Sequence, residues 1–117
     1  MKKLENLEII DTVVGHGVDE VQKGDVVIIH YVGKLMENGK EFDNSYKRNE
    51  PFQTMIGVGQ VIRGWDEGIL GMRVGGKRTL NIPSDMGYGT SGAGVSIPPN
   101  ADLTFEVELV AAYRPLK

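Results

Sequence analysis

Few residues of this chain are equipped for bond-making chemistry. Its two histidines are the side chains that titrate nearest neutral pH. His16 lies in a glycine turn, and His30 in a β-prone run, on the face opposite Tyr31. Neither has metal-ligand spacing to a partner, and both read as structural or solvent-facing. There is no cysteine, which removes thiolate metal sites, disulfides and cysteine nucleophiles together. "GVGQVIRG" has glycines but neither a P-loop lysine-serine pair nor dinucleotide-binding spacing. "GTSGAG" imitates a nucleophile elbow without the strand, turn and helix around it, and without a histidine partner. Hydrolysis, phosphoryl transfer and redox chemistry all lack their parts, and no metal or cofactor is expected. What remains is aromatic: one Trp, four Tyr and three Phe. Tyr31, Phe42, Phe52, Trp65 and Phe105 are expected on the concave side of one sheet, with Tyr88 near its rim. A core cluster is the default reading of such a set. A cavity with a few polar tips is the binding-site reading.

The elements that must position these rings are mostly strands. "LEIIDTVV" is a short β-prone run. "GDVVIIHYVGKLM" sets Val27, Ile29, Tyr31 and Gly33 on one face. Asn38-Gly39 signals a hairpin, and "KEFD" returns from it. "PFQTMIG" places Phe52, Thr54 and Ile56 together, and "GKRTLNIP" places Leu80 and Ile82 inward. The last strand alternates most strictly, with Leu103, Phe105, Val107 and Leu109 facing one way. One helix is expected, over "VIRGWDEGIL" from Val61 to Leu70. Val61, Ile62, Trp65, Ile69 and Met72 form its apolar stripe. Gly64, Gly68 and Gly71 run beside that stripe, although glycine costs a helix about 1 kcal/mol relative to alanine. A smooth stripe of this kind lets the helix press against the buried face of the sheet. The glycines read equally as turns that keep the helix to two turns. The charge-poor stretch "GYGTSGAGVSIPPN" is a long loop carrying Val95 and Ile97, and it reads either as ligand-facing or as a loose connection.

Length and composition bound the remaining possibilities. The 117 residues suit one domain spanning 1–117, with a core of modest size. A net charge of −3 with scattered basic residues gives no basic face, so no nucleic-acid partner is expected. Glu5, Asn6 and Glu8 interrupt the apolar run a secretory signal needs. No stretch approaches the roughly 20 apolar residues of a membrane span. The expectation is a cytoplasmic monomer without a membrane association.

In several blocks the chain resembles the FKBP-type peptidyl-prolyl cis-trans isomerases, small binding proteins for tacrolimus and rapamycin. The blocks are "VIIHYVGKL", "GKEFDNS", "RNEPF", "VIRGWDEGI", "GYG" and "IPPNADLTFEVEL". They come in the family's order and at nearly its spacing, from about Gly24 to Leu109. The resemblance implies an α+β fold: an antiparallel half-barrel of five to six strands wrapped around one short helix. It implies a pocket with Trp65 as its floor. Tyr31, Phe42, Phe52, Val61, Ile62, Ile97 and Phe105 make its walls. The Ile62 N–H and the Tyr88 hydroxyl would hydrogen-bond ligand carbonyls. Asp43 would sit at the mouth, paired with Arg48, which counts among the binding residues although a structural ion pair is its expected role. Gln60 stands where members often carry Glu and would act through its main-chain carbonyl. Met86 replaces an aromatic of the best-known members, and Ala93 and Ser96 make one loop wall smaller and more polar. By residue type alone, Tyr31 reads as a core tyrosine and Asp43 as a turn residue capping "NSY".

The resemblance further implies rotation about X–Pro bonds in peptides and folding proteins, inhibited by tacrolimus and rapamycin. Tyr31, Phe42, Asp43, Trp65, Tyr88 and Phe105 would be the catalytic set. Two other readings stand beside it: a module that captures proline-containing segments without turnover, and a chaperone-like apolar surface.

Overall fold

The computed structural model describes residues 3–116, so the expected domain bounds at 1 and 117 lie outside it. The central strand, β2 (Val26–Leu35), alternates as its sequence demands, with Val27, Ile29, Tyr31 and Leu35 buried. β6 (Leu103–Tyr113) pairs with it antiparallel along its full length, from Val26 opposite Tyr113 to Leu35 opposite Leu103. β5 (Lys77–Ile82) pairs on the far side of β6, and β1 (Glu8–Val13) closes that edge against β5. The other edge of β2 is divided between two short strands. β4 (Phe52–Met55) takes Val26 to Ile29, and β3 (Glu41–Asn44) takes Val32 to Lys34. The result is a six-stranded antiparallel sheet with its apolar side chains on one face, an α+β fold as expected.

The break between β3 and β4 holds a helix absent from the sequence expectation. α1 (Ser45–Arg48) is a single turn, with the Asn44 side chain accepting from the Lys47 N–H at 3.2 Å. The cap is thus Asn44, whereas Asp43 turns its carboxylate elsewhere. A turn this short has no hydrophobic periodicity to read, and only its cap is visible in "DNSY". Two further single turns of 3-10 helix, Ser84–Met86 and Gly89–Ser91, follow β5.

The helix expected over Val61 to Leu70 is shorter: α2 spans Arg63–Gly68. Ile62 is its extended N-cap, and Val61 and Leu70 also lie outside it. Its two glycines serve close packing. A Cβ at Gly64 would lie 2.5 Å from Ile82 Cγ2, and one at Gly68 would lie 2.9 Å from the Leu80 methyls. The helix therefore lies on β5 at a separation no side chain would permit. Gly71 instead makes a turn, with φ of +88°. Trp65, Ile69 and Met72 are buried by this contact, joining Leu80, Ile82, Leu103 and Leu109 in one core.

Two buried charges tie down the surrounding segments. Arg78 shares the inward register of Leu80 and Ile82. It donates to the Gly68 and Leu70 carbonyls at 2.8 and 2.6 Å, and to Asp11 at 2.6 Å. It supplies the end of α2 with the cation that a helix C-terminus favours. Asp25 accepts a two-pronged contact from Arg114, at 2.8 and 3.1 Å, which docks the end of β6. The Arg114 hydrogen bond outweighs burial and holds the Asp25 carboxyl below its ordinary value.

Gly64→Ala is expected to destabilise the protein by about 1–3 kcal/mol, because the whole Ile82 side chain must move; urea unfolding measures it, and a loss below about 0.5 kcal/mol would show that α2 has room to lift. Because Asp25 is depressed in the folded state, its contribution is present above the ordinary carboxylate range and is lost as pH falls through the folded value. Arg114→Ala should therefore lower the melting temperature at pH 7 by more than at pH 3; an equal loss at both would disconnect the pair from acid stability.

Candidate active site

Tyr31 sits where neither β3 nor β4 reaches, so its backbone lacks a strand partner on that side. The Ser45 hydroxyl takes the strand's place. It accepts from the Tyr31 N–H at 2.7 Å and reaches the Tyr31 carbonyl at 3.2 Å. Ser45 is fully buried, and His30 Nδ1 is 2.8 Å from the same hydroxyl. His30 stacks on Tyr46, with centroids 4.5 Å apart. His30 is thereby a structural member of the α1 junction.

The five expected rings converge on one bowl. Tyr31 and Phe105 meet Trp65 edge-on at centroid distances of 4.9 and 5.2 Å, and Phe52 lies 5.9 Å from Trp65. Phe42 stands edge-on to Phe105 at 5.5 Å. Such pairs each contribute about 0.5–1.5 kcal/mol beyond area burial. Gly33 leaves the space that Phe42 and Phe105 occupy, since a Cβ there would lie 2.7 Å from both rings. The bowl encloses a cavity of about 460 Å³, lined by these five rings with Asp43, Gly59, Gln60, Val61, Ile62 and Tyr88. That volume suits a small ligand or a peptide turn.

The polar groups are unevenly satisfied. Asp43 accepts from the Tyr31 hydroxyl at 2.5 Å, from the Asn44 N–H at 2.9 Å, and from Arg48. Arg48 also donates to the Tyr31 hydroxyl at 3.1 Å and lies over its ring. Burial would raise the Asp43 carboxyl, but the bonds from Tyr31 and Arg48 together hold it below the usual carboxylate value. Burial and the Asp43 hydrogen bond push the Tyr31 phenol up, so it stays protonated. Asp43 is thus an anion with its lone pairs committed, and it is no candidate for a general base. Several donors at the cavity have no protein partner among the described residues, the Ile62 N–H and the Tyr88 hydroxyl among them. Burial, then the nearby Asp43 charge, raises the Tyr88 phenol as well. Beneath them, Trp65 Nε1 is buried with no hydrogen-bond partner.

Two expected lining residues stand elsewhere. Ile97 is in the core, fixed because its backbone bonds reciprocally with Ala93 at 2.8 and 3.1 Å. Those bonds turn the long loop into a tight hairpin, with Val95 fully exposed at its tip and Asn100 bonded back to Gly89. Arg48 reaches the site only through Asp43 and Tyr31. The Gln60 side chain turns away to accept from Thr54 and from the Met55 N–H, each at 3.2 Å, leaving its main chain at the cavity. Sequence reasoning missed Gly59, Ser45 and Asp66. Asp66 holds the loop before α2 by accepting from the Gly57 and Gly59 N–H groups, each at 2.8 Å. "GVG" followed by an acidic residue in the helix's first turn is the signal that was there to find.

Comparison with known proteins assigns this combination of antiparallel sheet, packed helix and aromatic bowl to a family. The model of the family "FKBP-type peptidyl-prolyl cis-trans isomerase" matches residues 17–110. FK506-binding protein 2 of Kluyveromyces lactis is 58% identical over 95 residues, covering 81% of this chain and 68% of the relative. An FK506-binding protein of Neisseria meningitidis serogroup A is 55% identical over 108 residues, covering 92% and 97%. The peptidyl-prolyl cis-trans isomerase FKBP2 of Mus musculus is 54% identical over 101 residues, covering 86% and 71%. The crystal structure of AtFKBP13 superposes with a TM-score of 0.85 at 46% identity, covering 95% and 96%. The chain belongs to the FKBP-type peptidyl-prolyl cis-trans isomerase family, and it is an enzyme of that kind.

Ser45→Ala strips the Tyr31 N–H of its partner in a buried place and is expected to cost about 1–3 kcal/mol. Thermal unfolding with far-UV detection measures this. An unchanged melting temperature would show that water replaces the hydroxyl.

Proposed function

We propose that the aromatic bowl is where the enzyme twists the X–Pro amide, and that tacrolimus and rapamycin inhibit it by filling the same cavity. The barrier to rotation, about 18–20 kcal/mol, comes from amide resonance. The cis and trans states differ by only about 0.5–1 kcal/mol. Catalysis therefore needs no nucleophile and no proton transfer, only tighter binding of the twisted amide than of either planar form. The observation that carries this reading is a bowl of five rings bearing unpaired donors, the Ile62 N–H and the Tyr88 hydroxyl among them. The proline ring rests on Trp65, between Tyr31, Phe42 and Phe105. In this dry setting the charge separation of the planar amide loses its solvation, while the twisted form loses less. The Ile62 N–H and Tyr88 hydroxyl hold carbonyls of the flanking chain in a turned geometry. Asp43 and Arg48 act through Tyr31, keeping its phenol fixed at the wall. Phe52, Gln60 and Val61 complete the contact surface. The relatives named FK506-binding proteins support macrolide binding at this site.

We further propose that the protein acts as a cytoplasmic monomer on proline-containing peptides and proteins. A cysteine-free composition suits a reducing compartment, which supports the cytoplasmic part. Sedimentation and cell fractionation test the two parts separately.

Exchange NMR on a short Leu-Pro peptide tests the site. Phe42→Ala is expected to lower kcat/KM at least about tenfold, and Tyr88→Phe by a few-fold, in line with one lost hydrogen bond. With Asp43 depressed and both phenols raised, the wild-type rate should stay level from about pH 5 to about pH 9. Macrolide binding without catalysis would make the protein a proline-recognition module, and a bell-shaped profile centred near neutrality would bring proton transfer back into the mechanism.

A further inference from the structure

We propose that Asp66 is a positioning residue for the isomerase reaction, setting the place of the cavity wall that presents the Ile62 N–H. The inference rests on the cavity being the site of rotation. The loop from Gly57 to Ile62 supplies four lining residues: Gly59, Gln60, Val61 and Ile62. Its near end is held at Ile56, whose N–H donates to the Asp25 carbonyl at 2.9 Å and whose carbonyl accepts from the Gly24 N–H at 2.8 Å. Its far end is the extended N-cap of α2. Among the described residues, the amides of Val58, Gln60, Val61 and Ile62 have no protein partner. Those of Gly57 and Gly59 both donate to Asp66, one to each carboxylate oxygen, at 2.8 Å. Gly57 and Gly59 have φ of +82° and +83°, which turns both N–H groups toward the same carboxylate. Among the described residues, the loop's other hydrogen bonds are those of the Gln60 side chain, which accepts from Thr54 and Met55 on β4, and of the Ile62 carbonyl, which accepts from the Trp65 and Asp66 N–H groups of α2.

Among the described residues, Asp66 is thus the one side chain that joins this loop's backbone to α2, and it is the residue directly after Trp65. Floor and wall are referenced to the same turn of helix. Charge-assisted bonds of this kind are about twice as strong as neutral ones. A wall displaced by about 1 Å can reduce catalysis by as much as 10²-fold. The carboxylate does its work without touching the substrate.

The test compares wild type with Asp66→Asn, which keeps the shape but replaces one acceptor with a donor facing a donor, and with Asp66→Glu, which keeps both acceptors. Activity is expressed per site titrated with rapamycin, so a lower folded fraction does not register. Asp66→Asn is expected to lower kcat/KM about tenfold, with part of the loss recovered in Asp66→Glu, and to speed hydrogen exchange at Gly57 and Gly59. Loss of protection at those amides with kcat/KM within twofold of wild type would overturn the proposal. The wild type alone also tests it: Gly57 and Gly59 should exchange more slowly than Val58 and Gln60, and equal rates would overturn it even if Asp66→Asn does not fold. A wild type that neither binds rapamycin nor rotates the peptide would instead sink the cavity reading itself.

Discussion

The contact between α2 and β5 is the constraint from which the site follows. Gly64 and Gly68 face Ile82 and Leu80 at a distance that excludes any Cβ. That closeness is what lowers Trp65 into the sheet's curve. A helix standing one methyl further off would lift the indole away from Tyr31 and Phe105. The glycines cost helix stability, about 1 kcal/mol each, and packing against Leu80, Ile82 and Leu103 offsets it. A helix of six residues has no independent stability, so its position is dictated by the sheet.

Around that contact, charged groups act as fasteners. Arg78 closes the carbonyl end of α2, and Asp66 ties the loop that precedes it. Asp43 in the cavity lining and Arg48 behind it fix the phenol of Tyr31. Each of these groups is committed to hydrogen bonds within the fold. The arrangement fits a reaction whose barrier is electronic delocalisation: what is needed is a rigid apolar surface with a few donors at fixed places. Asp43 and Tyr31 are shifted in opposite directions, the carboxyl down and the phenol up, so neither changes charge near neutral pH.

Much of this was legible in the chain, where side-chain period carries burial directly. The alternation in β6 and β2 gave the buried faces, and those faces bring together Tyr31, Trp65 and Phe105. The resemblance to a family then supplied Asp43, Ile62 and Tyr88, which residue type alone leaves as a turn, an apolar residue and a loop tyrosine. Arg78 was not singled out, although it shares the alternation that placed Leu80 and Ile82 inside, because a guanidinium there contradicts hydrophobic expectation until its carbonyl partners are known. The helix over Val61 to Leu70 was overextended because Val61 and Ile62 share an apolar period with Trp65, while Val61 lies in a bend and Ile62 adopts extended backbone.

The sequence by itself determined the strands, the inward rings and the family, because these depend on periodicity and on ordered blocks of residue types. Only the tertiary structure decided that Ser45 fills a missing strand position beside Tyr31, that Ile97 goes to the core, and that Arg48 stands behind the wall. It alone showed Asp66 holding two glycine amides. Each of these depends on which backbone groups lack partners after the strands have paired. That is a property of the assembled sheet, which no local stretch of residues encodes.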